Sequence, residues 1–212
     1  MPGDEYLADR SERRVVMTRA INLNAEPQVV WPWLAQLGRG AGYYSFDLLD
    51  NGGKASARHI VGWIPPPRLG DAAAIGYLRH LEPERALVWW VKGLTWMGAT
   101  ARMVIDIRLT PTPAGSRLVI RITGQAGGLT AALALGLFQL IDGIMAIRQL
   151  LGIKQRVERY GARTSDPERP ETGQRDQYQL FETIYACGER CGVAGKEDAA
   201  RWRQAALEDG VL

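Results

Sequence analysis

The spacing of apolar residues changes period along the chain, and each change marks an element. In "RRVVMTRAINLN", residues 13–24, Val15, Met17, Ile21 and Leu23 fall on one side and Arg14, Thr18 and Asn22 on the other. That alternation predicts a strand. Arg19 falls on the apolar side; either a bulge or strand end releases it to water, or it is a cation inside a cavity. The period then lengthens, and Val30, Trp33, Leu34 and Leu37 share one face of a helix. Asn24 is its candidate cap and Pro27 suits its first turn. Pro32 must fall in the first turn or kink the helix, and Gly38 ends it. "SFDLLDN" reads as a second short helix, capped by Ser45 and closed by Asn51-Gly52-Gly53.

A loop-rich region follows, with His59, Trp63 and Pro65-Pro66-Pro67. Strand-like runs come next at 75–81, 86–92, 99–110 and 116–124, separated by turn chemistry at "EPE" and "TPTPAGS". Met103, Ile105, Ile107 and Leu109 oppose Arg102, Asp106, Arg108 and Thr110. Leu118, Ile120 and Ile122 oppose Arg117, Arg121 and Thr123. Such alternation predicts antiparallel strands with one buried and one wet face. Lys92 marks the wet side of 86–92, which turns Trp89 inward.

A long helix is expected over about 129–160. Its beginning, "AGGLTAALALGLFQLIDGIMAI", imitates a membrane span in length. Asp142 would be expensive in lipid, and the following "IRQLLGIKQRVERY" is amphipathic. A helix apolar all round and then striped fits one lying across a curved sheet. Gln139, Asp142 and Gln149 make a polar stripe on it, which is by default its solvated side and, if it faces the sheet, a source of hydrogen bonds to a bound ligand. A polar linker and two short helices, about 176–190 and 196–208, complete the chain. The order of elements predicts an α+β fold in residues 11–162: a curved antiparallel sheet wrapped round a long helix. Residues 163–212 form a linker and a short helical C-terminal extension. Space remains between sheet and helix wherever inward side chains fail to fill it.

Composition narrows the function classes. The net charge of +3 is too small to argue for nucleic acid. Of 17 aromatic residues, five lie between Trp31 and Asp50, where Arg39 is the one basic residue against two aspartates. A base-stacking surface needs a basic groove, so nucleic acid is not an expected partner. Residues 1–160 carry a net +6 and residues 161–212 a net −3, which leaves docking of the tail on the body open. Cys187 and Cys191 stand four apart in an expected helix, a poor geometry for a disulfide. With His59 and His80 the only histidines, there is no zinc pattern. Neither a metal nor a cofactor is expected. The N-terminal "MPGDEYLADRSERR" has no apolar signal-peptide core, so a cytoplasmic protein with reduced thiols is expected.

Three stretches carry a resemblance: "INLNAEPQVVWPWLAQLGRGAGYYSFDLLDN", "VGWIPPPRLGD" with its following strands, and "LLGIKQRVE". On these the chain resembles the SRPBCC group of the START and birch-pollen-allergen superfamily, above all its bacterial polyketide cyclase/dehydrase-like branch. The resemblance covers about residues 13–160. It implies a helix-grip fold with an apolar cavity for a hydrophobic small molecule: a lipid, an isoprenoid or a polyketide. It does not fix an activity, and it carries over no catalytic motif residue by residue.

The candidate chemistry follows. Asp47 is a candidate acid or base, although a carboxylate in the first turn of a helix is favoured anyway. His59 is a second candidate, since a histidine can shuttle protons, against the plainer reading of a surface residue in a loop. Arg19, Trp33, Tyr43, Tyr44, Phe46, Trp63, Trp89, Met103, Ile105, Ile120, Phe138 and Asp142 are the expected ligand contacts. Tyr43, Tyr44 and Phe46 would rim an entrance that the nearby glycines allow to move. The leading expectation is a hydrophobic-ligand binder. The alternatives are a cofactor-free cyclase or dehydratase on a polyketide- or terpenoid-like intermediate, and homodimerisation through the C-terminal extension.

Overall fold

The computed structural model describes residues 3, 7, 13–73, 76–96, 99–126 and 129–161. The cysteines, the expected helices at 176–190 and 196–208, and the expected extension and its dimer lie outside the described residues. The elements run β1 (Arg13–Leu23), α1 (Pro27–Ala35), α2 (Asp47–Asp50), β2 (Ala72–Ala73), β3 (Gly76–Glu82), β4 (Ala86–Trp96), β5 (Ala99–Thr112), β6 (Gly115–Ala126) and α3 (Leu129–Tyr160). The strands form one curved, open, antiparallel sheet in the order β1-β6-β5-β4-β3-β2. The fold is α+β, with α3 on the concave face. Among the described residues no helix is long and apolar enough to cross a membrane.

The alternation along β5 and β6 builds the floor of the concavity. Ile105 pairs with Ile122 and Ile107 with Ile120 across the two strands, so their side chains stand in matched inward rows. β1 pairs with β6 in unbroken register, Arg19 opposite Ile120. No bulge therefore turns Arg19 away, and it stays on the concave side. The core gathers Leu23, Leu87, Trp89 and Leu118 from the sheet, Val30, Trp33 and Leu34 from α1, and Leu150, Ile153 and Val157 from α3.

Two helix starts differ from expectation. α1 begins at Pro27 with Glu26 at its cap position and no side-chain cap, so Asn24 plays no such part. The backbone N–H of Asn24 donates to Glu158 Oε1 (3.2 Å) on α3. Pro27 supplies the preset φ a first turn needs and removes one orphan donor, which makes the side-chain cap dispensable. Pro32 lies inside the helix, three residues before its end. α2 starts at Asp47 behind Phe46, again with no side-chain cap. Ser45 is drawn away to α3, where its hydroxyl donates to the Met145 carbonyl (3.1 Å).

The outer face of the sheet is not uniformly wet. Val88, Val104, Asp106, Thr123 and Gln125 are buried there. Leu7, from far upstream, packs with Val88, Val104 and Trp90 in a second apolar cluster. The polar lettering of the outer rows hid this cover, because the residues that supply it are remote in sequence.

Candidate functional site

Between the concave face and α3 lies a pocket of about 210 Å³. Its apolar walls are Met103, Ile105 and Ile107 of β5, Ile120 and Ile122 of β6, Leu37 past α1, and Met145 and Ala146 of α3. One end is polar: Tyr43, Ser45 and Asp50 from the α1–α2 region meet Asp142 and Gln149 of α3. Asp142, Met145, Ala146 and Gln149 fall three, four and seven apart, the spacing of one helical face. The expected polar stripe therefore splits. Gln139 is exposed, while Asp142 and Gln149 face inward. A helix laid on a twisted sheet changes which face it presents along its length.

Arg19 Nη1 donates to Asp142 Oδ2 at 3.0 Å, with the two side chains 20% and 13% exposed. The Arg19 cation is thus neutralised at the pocket's edge. Burial pushes the Asp142 carboxyl above the usual carboxylate range, and Arg19 pulls it partly back. Burial likewise raises Asp50; the Ser45 hydroxyl and the backbone N–H groups of Asp50 and Phe46 oppose this, and the Asp47 charge adds to it. Both Asp50 carboxyl oxygens are buried without a well-directed hydrogen bond. Although Ser45 is close enough to act on Asp50, its single proton points to Met145 O, so it cannot also serve the carboxylate. Burial raises the Tyr43 hydroxyl too, and the Asp50 charge adds to that. The Tyr43 residue as a whole is partly exposed, so it is its hydroxyl end that lies deepest.

The rim is pinned. Gln149 Nε2 donates to Tyr43 O (3.1 Å) and Ser45 Oγ to Met145 O (3.1 Å), stapling the α1–α2 connection to α3. The glycines before it serve close packing more than motion. Gly40 and Gly42 adopt positive φ, and a Cβ there would meet Trp63 at 2.7 Å and the Ser56 hydroxyl at 2.4 Å. The expectation of a rim loosened by glycine is replaced by one of a rim locked by it.

Of the residues expected to contact a ligand, Tyr43, Met103, Ile105, Ile120 and Asp142 line the pocket, and Arg19 touches it through Asp142. Trp33, Tyr44, Phe46, Trp63 and Trp89 lie elsewhere. Trp33 is fully buried, donates from Nε1 to Gly161 O (2.8 Å), and meets the Tyr44 ring edge-on at 5.9 Å. Tyr44 accepts from Gln36 Nε2 at 2.7 Å and lies 4.5 Å beneath the Arg156 guanidinium. Trp63 and Trp89 are fully buried core residues. Phe46 is exposed on the surface. Phe138 belongs to α3, but its side chain lies outside the described residues.

Neither expected catalytic residue faces the pocket. Asp47 Oδ1 accepts a short hydrogen bond from Ser56 Oγ, which in turn accepts from the Tyr44 amide (3.2 Å). That chain ties α2 to the loop behind it. His59 sits in the loop on the far side of α1, its carbonyl accepting from Gln36 Nε2 (3.2 Å). The first-turn reading of Asp47 describes its position, whereas His59 is half-buried, with both ring nitrogens buried, and is not a plain surface residue. Among the described residues no group of three or more metal-ligating side chains converges.

Sequence reasoning missed Asp50, which looked like the end of a short helix, and Ser45, which looked like a cap. Ile107 and Ile122 were legible, since they continue the inward rows of Ile105 and Ile120. The buried pair Arg39 and Asp71 also went unread. Arg39 Nη2 donates to Asp71 Oδ2 at 2.9 Å, and the two are 0% and 1% exposed. Arg39 Nη1 donates further to the Ala35 and Pro65 carbonyls (2.9 and 3.0 Å), fastening the proline loop to the end of α1.

No protein-family model matches the chain, and no curated protein matches it. Among solved structures it is similar to a structural-genomics protein of Mesorhizobium loti, at 17% identity and TM-score 0.44, covering 70% of this chain and 98% of that one. A conserved protein of Geobacillus kaustophilus aligns at 14% identity and TM-score 0.46, over 69% of this chain and 97% of that one. A protein of Rhizobium leguminosarum aligns at 12% identity and TM-score 0.45, over 70% and 99%. At such identities and scores, the fold assignment stands on the chain's own topology.

Proposed function

We propose that this chain is a helix-grip protein of the SRPBCC kind that binds a hydrophobic small molecule between its sheet and α3. The observation that carries the reading is the pocket itself: about 210 Å³, walled by isoleucine and methionine, with its few polar groups gathered at one end. Pockets built this way bind apolar molecules and orient them through a small number of polar contacts. An apolar cavity of about 150 Å³ already suffices for benzene, so this one suits a one- or two-ring molecule or a short terpene.

Displacement of a neutral two-ring dye such as Prodan, together with native mass spectrometry of the purified full-length chain, tests this. A co-purifying apolar molecule, or dye binding that Ile105→Trp abolishes without lowering Tm, is the expected result. Dye binding that survives both Ile105→Trp and Ile122→Trp would place the ligand elsewhere and end the proposal.

One observation favours a second reading, a cofactor-free cyclase or dehydratase on a polyketide- or terpenoid-like intermediate. Two carboxyl groups with raised proton affinity, Asp50 and Asp142, face the same pocket, and perturbed acids in an apolar cleft are the usual signature of acid–base chemistry. On this reading they, rather than Asp47 and His59, move the proton. Turnover of a model substrate that persists in the Asp50→Asn, Asp142→Asn double variant would rule it out.

A further inference from the structure

The polar end of the pocket has a chemical preference built into it. None of the described residues that line the pocket is Lys, Arg or His. The nearest cation on the concave face, Arg19, is already engaged by Asp142 at 3.0 Å. Gly143 lies beside the same guanidinium, 3.5 Å from Nη2 at its Cβ position, so the arginine is held across α3. Asp50, by contrast, brings two buried carboxyl oxygens with no well-directed donor to satisfy them. Ser45 donates to Met145 O, and one N–H of the Gln149 amide is on Tyr43 O. The Tyr43 hydroxyl and the second Gln149 N–H are the neutral donors left at this end, and no cation stands beside them among the described lining residues.

We propose that the pocket selects an uncharged apolar molecule carrying a hydroxyl group, which docks on Asp50 beside Tyr43, and that it discriminates against carboxylates. This rests on the reading of the pocket as a ligand site and names the ligand class that site takes. A ligand hydroxyl supplies Asp50 with a well-directed donor. When Asp50 is protonated, the same carboxyl donates to the hydroxyl oxygen instead, so either protonation state accepts an alcohol or a phenol. A fatty acid or other carboxylate meets the opposite situation. It must shed its water, place its charge near Asp50, and find no unpaired cation among the described lining residues. Loss of hydration without a compensating partner is costly, and like charges in a shared site repel.

Three probes on one naphthalene frame decide the matter: 2-naphthol, 2-methylnaphthalene and 2-naphthoate, each measured against the full-length chain by equilibrium dialysis at neutral pH. The hydroxyl probe is expected to bind about ten-fold more tightly than the methyl probe, the gain of one hydrogen bond to a charged group. The carboxylate is expected to bind more weakly than both. Asp50→Asn, close in shape, should narrow the gap between naphthol and naphthoate, and Asp50→Leu should erase the advantage of naphthol over methylnaphthalene. Circular dichroism confirms that each variant is folded; were neither to fold, the ranking in the natural protein decides alone. A naphthoate that binds as well as naphthol overturns the proposal while leaving the pocket intact. So does a gap unchanged in Asp50→Asn. If none of the three probes binds, the pocket is not a ligand site for such molecules, and both readings fall together.

Discussion

Gly152 shows how much a single missing side chain decides. A Cβ at this position on α3 would lie 2.0 Å from the Tyr44 carbonyl oxygen, a contact no flexible neighbour relieves. Tyr44 itself holds a positive φ of 61°, unusual for a residue with a side chain. The Arg156 guanidinium over its ring and the Gln36 bond to its hydroxyl keep it there. Gly152→Ala is therefore expected to cost about 1–3 kcal/mol in chemical denaturation, the usual toll of forcing extra volume into a packed site. Gly143 is the control. A Cβ there makes only an ordinary contact at 3.5 Å, so Gly143→Ala should be neutral or stabilise by up to about 1 kcal/mol through helix propensity. Asp50 adds a pH signature. Its folded pKa is raised above the ordinary 3.8, so its contribution to stability is intact below that value and is lost as pH rises through the folded pKa. Asp50→Asn should thus gain stability relative to the natural chain at neutral pH, and the gain should vanish on acidification below 3.8. A difference that grows on acidification would contradict the assignment.

At the scale of elements, what was legible had a period. The strands announced themselves by alternation, and Val30, Trp33 and Leu34 by helical spacing; all three are buried. What was illegible had none. Ser45 and Asn24 are good caps in isolation, yet the Ser45 hydroxyl and the Asn24 backbone N–H are both held by α3, more than 90 residues away in sequence. The ion pair of Arg39 and Asp71 joins a glycine-rich turn to a proline loop, and nothing local advertises it. Removing one partner should cost about 3–5 kcal/mol, since the other is left charged and buried. The double replacement Arg39→Met, Asp71→Leu should recover much of that, and equilibrium denaturation of the three variants measures the coupling. The outer cluster makes a milder forecast. Leu7→Ala should lower stability by about 2 kcal/mol, the low end for a buried leucine, because Leu7 is 5% exposed against Val88 and Val104.

For the whole molecule, the architecture joins distant stretches of chain. β1 pairs with β6 along its full length, so the sheet cannot be completed until nearly all of its strands have been made. Trp33 on α1 donates to Gly161 just past α3 (2.8 Å), and Lys154 on α3 donates to the Asn22 carbonyl (2.9 Å). The pocket belongs to no single segment, which explains why the sequence revealed its walls better than its polar end. Walls come from the periodicity of two adjacent strands; the end comes from a turn, a short helix and one face of α3 that meet only in the folded chain.

The contact at Gly152 also has a mechanical meaning. Toward its C-terminal end α3 rests directly on backbone, with Ile153 and Val157 sunk in the core. About ten residues earlier, roughly 15 Å along the axis, the same helix is propped by the ion pair of Arg19 and Asp142. The helix is a beam seated hard at one point and carried on a strut at another, and the pocket is the clearance beneath it. A spacer inserted at the seat lifts the beam, so substitution at residue 152 should alter which ligands fit although it touches none of them.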